Sequence, residues 1–172
     1  MKQAQALGYA EADPTADVEG FDVQAKIAIL AKLSFGKTVE VDKIPAKGIS
    51  KVTAVDFEYA KIMRSTIKLI GAASMNANGS LAVYVSPTII PHSSPFSGAK
   101  GPGNMCVVKS ENMNMTTFAG PGAGRFPTAN SVVSDLLRLA KGCLKPCSHG
   151  VIIYRYLFYI HPYIHTYIHT YV

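Results

Sequence analysis

Length, composition and charge restrict this chain to a few classes of protein. It has 172 residues, of which 48% are hydrophobic and 16% charged, and this composition predicts one folded domain with a sizeable core rather than a disordered chain. Its net charge of +6 comes from basic residues that are spread along the sequence. Without a dense basic cluster, the charge does not predict a nucleic-acid surface.

The N-terminal residues do not have the pattern of a targeting or membrane segment. Charged residues interrupt every apolar stretch near the N-terminus, whereas a signal peptide needs a continuous apolar core. We therefore expect a cytoplasmic protein that does not bind membranes. The three cysteines are predicted to be reduced thiols, because an odd number without a secretory signal does not indicate a disulfide framework.

The first motif in chain order is an acidic loop that runs into a helix. Residues 8–26 read GYAEADPTADVEGFDVQAK and contain five carboxylates and one lysine. Asp22 precedes apolar residues at helical spacing, so we predict that it is the N-cap of a helix that stops at Gly36. Lys26 lies one turn further along the same face. On a surface helix such an ion pair contributes only about 0.2–0.5 kcal/mol, so the pair is either an ordinary surface contact or a functional one.

Turn signals divide the next part of the chain into a helix and a hairpin. Thr53 is predicted to cap a helix over residues 54–63. A strand over residues 66–75 should follow. Asn78-Gly79 is typical of a tight hairpin turn, and it predicts an antiparallel partner strand over residues 81–85.

Residues 103–142 are predicted to form a second hairpin and a helix. Strands are expected over residues 105–108 and 115–118, joined by a short connection. A helix should start at Pro127 and end before Gly142. Residues 91–102 contain three prolines and are left as a loop. Together these elements predict an α+β fold, with helices packed on one face of a mostly antiparallel, mixed sheet.

The motifs resemble those of homoserine dehydrogenases. Residues 8–26 match the family pattern G-Y-x-E-x-D-P-x-x-D-x-x-G-x-D-x-x-x-K at every fixed position. Residues 48–56 look like the family's "GI..it..D" helix start, and residues 67–70 look like its central "IKL" strand. The stretch 120–135, GPGAGRFPTANSVVSD, is similar to its glycine-rich "GPGAG..PTA..V..D" element. The resemblance implies that residues 1–141 form a catalytic and dimerisation domain, active on a small-molecule substrate as a homodimer.

The family's functional residues carry over to the matching positions. The resemblance implies that Lys26 is the general acid and base of the reaction, and that Asp22 holds its ammonium group or contacts the substrate. Glu11 would bind the substrate's α-amino group, and Asp17 would support substrate binding. Three glycines would lie close to the nicotinamide cofactor, namely Gly8, Gly122 and Gly124. No metal is implied.

The resemblance also implies a reaction and a cofactor. Homoserine dehydrogenases interconvert aspartate 4-semialdehyde and L-homoserine with NAD or NADP, in threonine, methionine and isoleucine biosynthesis. We expect the nucleotide-binding Rossmann domain to be missing, because neither residues 101–103 nor residues 120–124 lie in its strand-turn-helix context. The chain should then be inactive alone. Both cofactors stay open, since the residue that distinguishes them belongs to that domain.

Two alternatives differ from an active enzyme. The chain could be a non-catalytic module that dimerises with a full-length relative, or the product of a truncated gene model. A dimer without cofactor binding or turnover would indicate the module.

The tail over residues 142–172 departs from the family. Residues 160–171 form three four-residue units, Ile-His-Pro-Tyr followed by two copies of Ile-His-Thr-Tyr. The DNA repeat ATAC, read in codons, encodes this unit, so we expect an irregular low-complexity tail that was not selected as protein. Arg155 and Pro162 argue against a membrane span.

Two groups of possible metal ligands occur in the tail. Cys143, Cys147 and His149 lack a second ligand pair at zinc-site spacing. The repeat histidines lie four residues apart, but Pro162 weakens the helix that would align them. Neither group predicts a metal site.

Overall fold

Four helices and five strands make up the part of the chain that the computed structural model describes, which is residues 13–99, 103–122 and 124–142 and the backbone of residues 164–169. The helices are α1 (Thr15–Val18), α2 (Phe21–Phe35), α3 (Ala54–Ile62) and α4 (Arg125–Ala140). The strands are β1 (Ser65–Met75), β2 (Leu81–Pro91), β3 (Gly103–Ser110), β4 (Asn114–Pro121) and β5 (Ile164–His169). Short 3₁₀ turns occur at Val41–Lys43 and Pro95–Gly98.

The strands form one sheet in the order β2-β1-β5-β3-β4. All four ladders described are antiparallel, and a single isolated bridge between Ala46 and Val85 is parallel. The two hairpins predicted from the sequence, β1–β2 and β3–β4, are confirmed. The α+β class is confirmed as well. Both hairpins are longer than expected. In β1–β2 the pairing continues past residue 85, away from the turn, to Pro91, and in β3–β4 it extends at both ends.

Strand β5 lies at the centre of the sheet, although it comes from the tail. It pairs with β1 on one side and with β3 on the other. The sequence predicts an irregular tail, and residues 164–169 differ from that expectation. The difference has a physical reason, because isoleucine, threonine and tyrosine favour strands, and β1 and β3 each offer it an edge of backbone hydrogen-bonding groups.

Helix α2 begins and ends at glycines in the left-handed region. Gly20 is its N-cap with φ +83°, and Gly36 its C-cap with φ +69°. The predicted stop at Gly36 is confirmed, and Gly36 N–H donates to Lys32 O at 2.9 Å. The prediction that Asp22 is the N-cap is wrong. The chain already turns at Gly20, so Asp22 is the second helical residue, where its charge still faces the positive end of the helix dipole.

The buried face of α2 lies on the β1–β2 hairpin. Val23 and Ile27 are fully buried there and belong to one cluster with Leu69 and Val85. The helix comes close to the sheet at Gly71, where an added Cβ would lie 2.8 Å from Val23 Cγ1. The opposite face of the sheet holds a smaller cluster, made of Ile70, Ile90, Phe96 and Val107.

The remaining two long helices differ in how they start. At α3 the Thr53 side chain and the Asp56 side chain form a capping box, which confirms the predicted cap. Helix α4 starts at Arg125, two residues before the predicted Pro127, and its N-cap is Gly124. It ends at Ala140 with Lys141 as C-cap, close to the predicted stop.

Candidate active site

Lys26 and Asp22 form an ion pair one turn apart on α2. Lys26 Nζ donates to Asp22 Oδ2 at 2.6 Å, and the two side chains are 38% and 34% exposed. Both side chains are therefore half-buried. The pair is thus partly covered by the fold and partly open to solvent.

The helix that carries this pair is fixed to its surroundings by polar as well as apolar contacts. Gln24 lies between Asp22 and Lys26 in the sequence. Its side chain is buried, and its Nε2 donates to Ile44 O at 2.6 Å. Burial of an amide without such a partner is costly, so this bond favours one position of the helix. Together with the close approach at Gly71, this bond fixes the position of the helix that carries Lys26.

The other carboxylates of the acidic loop have separate places. Asp13 accepts hydrogen bonds from Thr15 N–H at 3.0 Å and Thr15 Oγ1 at 2.6 Å, and these bonds lower the pKa of Asp13 below 3.8. Asp13 therefore stabilises the start of α1. Asp17 lies half-buried on α1. Glu11 and Gly8 lie outside the described residues.

The glycine-rich turn joins β4 to α4. Gly124 has φ +117°, a value that favours glycine. At Gly122 an added Cβ would overlap the side-chain amide of Asn104. This turn adjoins edge strand β4, whereas Asp22 and Lys26 lie on α2, which packs on β1 and β5. The structure therefore brings Asp22 and Lys26 together, and it places Gly122 and Gly124 elsewhere, just beyond the end of β4.

A pocket of about 650 Å³ lies beside the turn between α1 and α2. Its floor is the cross-strand pair Ile67 and Ile89, and its walls come from α3 and residues 46–52. Asp22 and Lys26 do not line it. The charged residues that do are Glu19, Lys47, Lys51 and Asp56.

Glu19 lines this pocket, but the sequence did not distinguish it from the other carboxylates of the acidic loop. The signal that could have found it is Gly48, whose added Cβ would overlap the backbone of Val18 and Glu19. Such contact needs glycine, so the Gly48-Ile49 pair marks where a distant segment meets the acidic loop. Ile49 N–H donates to Val18 O at 2.8 Å at the same place.

Other chemistries have less support in the described part of the chain. Burial raises the pKa of the Cys106 thiol to about 11, so this group is protonated near neutral pH and is a poor nucleophile. Among the described residues, no three His, Cys, Asp or Glu side chains are grouped so that they could hold a metal ion. No helix in these ranges is long and apolar enough to cross a bilayer. Cys143, Cys147 and His149 lie outside them.

Fold and site together define a class of protein. The chain forms an α+β domain that holds a lysine–aspartate pair, a set of groups suited to proton transfer, on a helix packed against an antiparallel sheet. The family model for homoserine dehydrogenase matches residues 1–137. The chain belongs to this family.

Relatives and solved structures agree with this assignment. The homoserine dehydrogenase of Bacillus subtilis is 45% identical over 141 residues, which are 82% of this chain and 32% of that protein. The NAD(+)-dependent homoserine dehydrogenase of Pseudomonas canavaninivorans is 40% identical over 87% of this chain and 42% of its own length. The crystal structure of a homoserine dehydrogenase from Thiobacillus denitrificans has a TM-score of 0.75 and 40% identity, over 82% of this chain and 33% of that one. The chain thus spans 32% to 42% of the length of these two curated relatives.

Proposed function

We propose that this chain is the catalytic part of an NAD(P)-dependent homoserine dehydrogenase, which interconverts aspartate 4-semialdehyde and L-homoserine. The 2.6 Å pair of Lys26 and Asp22 is the observation that carries the proposal. It lies in the motif that matches the family, and it joins a proton donor to a group that can hold it in place.

Lys26 transfers the proton in this scheme. In the direction of aldehyde reduction, Lys26 Nζ donates a proton to the substrate oxygen, and in the reverse direction it accepts one. Its positive charge also stabilises the oxygen as negative charge develops on it. Asp22 positions the ammonium group through their hydrogen bond. The nicotinamide cofactor, when bound, supplies or accepts the hydride.

The remaining site residues bind and orient. Glu11 and Asp17 are proposed to bind the substrate, with Glu11 accepting a charge-assisted hydrogen bond from the α-amino group. Gly122 and Gly124, with Gly8, are proposed to lie against the cofactor. Bare backbone fits that role, because a Cβ on Gly122 would overlap the side chain of Asn104 and Gly124 has a positive φ. A flat ring could approach such a turn closely.

The nucleotide-binding part is proposed to correspond to the stretches of the relatives that this chain does not match. The name of the Pseudomonas canavaninivorans relative supports a nicotinamide cofactor, and the choice between NAD and NADP is left to experiment. We further propose a homodimer in the cytoplasm. Exposed apolar side chains on α4 support the dimer, among them Phe126 at 75% exposure.

A chimera tests the proposed function. The matched 141 residues of the Bacillus subtilis enzyme are replaced by residues 1–141 of this chain, and homoserine-dependent formation of NADH and NADPH is measured. We expect activity, and we expect Lys26→Ala to lower turnover by roughly 10²–10⁴-fold. Lys32→Ala on the same helix is the matched control and should change turnover little.

Two results would reject this assignment. A folded Lys26→Ala chimera with unchanged turnover would remove Lys26 from the mechanism. A folded chimera without activity would favour the dimerisation module if the separate 172-residue chain also forms dimers but binds no cofactor. This module is the second candidate, and the apolar face of α4 supports it.

A further inference from the structure

We propose that the gap between β1 and β3 is a strand-binding site, which the Ile-His-Thr-Tyr repeat fills in this chain and which takes the same repeat from a second copy. The first observation is the pairing. Residues Ile70 to Ser74 of β1 pair with His169 to His165, and Met105 to Ser110 of β3 pair with His169 to Ile164. In the described ladders, the two hairpins are joined only through β5.

Removal of β5 would expose both inner edges of the sheet. Backbone N–H and C=O groups that lie unpaired in a buried position cost free energy, and an exposed edge recruits another strand. Hydrogen bonds on both sides make the central position a stronger binding site than either outer edge. Main-chain pairing of this kind is a common mode of peptide recognition.

Strand β5 and the strands that it lies between come from different parts of the sequence. The family match covers residues 1–137, which include β1 to β4 but not β5. The site is therefore built by the matched domain, and its occupant comes from outside the match. Residues 143–163 join the two, and a chain of about 20 residues can span tens of ångströms.

The register limits which segment fits. On β1, small residues lie at three successive register positions, with Gly71 opposite Ile168, Ala72 opposite Tyr167 and Ala73 opposite Thr166. Large strand-forming residues opposite small ones suit a crowded central position. The site is therefore suited to an extended segment rich in β-branched and aromatic residues.

One residue of the repeat limits the register of β5. A shift by one four-residue unit keeps the side-chain pattern, so register is normally poorly specified in repeats. A shift in one direction puts Pro162 at the place of Thr166, and proline is excluded from central strands because it lacks the N–H. Residues Ile164–His169 form the strand in the register that avoids this proline.

Hydrogen exchange on the full chain provides the first test. The amides of residues 164–169 should exchange as slowly as those of β1. Thr166→Pro should speed exchange in β1 and β3 by about 10-fold or more, because it opens the centre of the sheet. Thr170→Pro, the same change one unit later and outside β5, is the matched control and should leave both strands unchanged.

Binding in trans is the second test. A labelled peptide with the sequence YIHTYIHT should bind Thr166→Pro at least about 10-fold more tightly than the unchanged chain, whose own strand competes. The peptide YIHPYIHT should not bind. Equal binding of both peptides, or equal exchange in both proline variants, would overturn the proposal. If Thr166→Pro does not fold, rapid exchange of residues 164–169 in the unchanged chain would overturn it alone.

Discussion

Helices α2 and α4 are nearly equal in length, with 15 and 16 residues, but they differ in what they bury. Five residues of α2 are buried, and none of α4 is, although the structure describes both helices in full. Helix α2 lies where Gly71 leaves room on the sheet. An apolar helix face is therefore buried where small residues of the sheet allow the helix to pack closely, as at Gly71.

The region of β3, β4 and α4 thus resembles half of an interface. Most residues of β4 are exposed, and apolar side chains such as Leu136 and Leu137 on α4 are more than half exposed. Exposed apolar clusters of this kind usually mark a site of interaction with another protein. The region around α2 is therefore packed within one chain, whereas the region around α4 is suited to the proposed second copy.

Paired truncations should give the largest difference between the two regions. Ile27→Ala in α2 removes a fully buried side chain and should lower the free energy of unfolding by about 2–5 kcal/mol. Leu137→Ala in α4 removes a side chain that is 55% exposed and should cost less than about 0.5 kcal/mol in the monomer. Urea unfolding at low protein concentration measures both. Equal losses would show that α4 is packed after all.

Paired glycine substitutions test the same difference in packing between the sheet under α2 and edge strand β4. Gly71→Ala places a methyl group 2.8 Å from Val23 Cγ1 and 3.2 Å from Ile27 Cβ. Because Val23 is branched and stiff, we expect overpacking to destabilise the chain by about 1–3 kcal/mol. Gly120→Ala in β4 meets nothing within 4 Å and should be neutral or slightly stabilising. Thermal unfolding checks both, and a destabilising Gly120→Ala would place another element against β4.

Helix caps should give the smallest effect. Thr53→Ala removes the side-chain cap of α3 and should cost about 1 kcal/mol near neutral pH, whereas Thr128→Ala in the first turn of α4 should cost less. Two hydrogen bonds from Thr53, from its N–H and its Oγ1 and each 2.7 Å long, hold the pKa of Asp56 below 3.8.

The sign of the pH dependence follows from this shift. A carboxyl group whose pKa is lower in the folded state stabilises the fold above its unfolded pKa, and this contribution is lost as pH falls through the folded pKa. The stability gap between the unchanged chain and Thr53→Ala should therefore narrow below about pH 4. Unfolding curves measured across that range test it, and a gap that widens on acidification would contradict the assignment.

Local signals predicted most elements, because each depends on neighbouring residues. Asn78-Gly79 gave the β1–β2 turn, Thr53 with Asp56 gave the start of α3, and Gly36 gave the end of α2. The pairing of Lys26 with Asp22 followed from their spacing of four on a helix. These predictions needed no knowledge of distant contacts.

Several of the missed features depend on contacts between distant segments. The place of β5 is set by free edges on β1 and β3, which lie far away in sequence. The N-cap is Gly20 and not the predicted Asp22, because the chain turns at Gly20 between α1 and α2. The side chains of Val85 and Leu69 lie close to Gly20 there. The half-buried state of Lys26 reflects how α2 sits on the sheet, which periodicity alone does not define.

Backbone hydrogen bonds of residues 45–49 should protect this segment from proteases. Val85 N–H donates to Pro45 O at 2.8 Å, Lys47 N–H donates to Val85 O at 2.9 Å, and Ile49 N–H donates to Val18 O. Although it forms no helix or strand of its own, this stretch is tied to an outer strand and to the acidic loop. Cleavage requires a segment to detach and extend into the enzyme's cleft, so these ties should make the segment a poor cutting site. They also make it an unsuitable position for inserting a tag or a reporter domain.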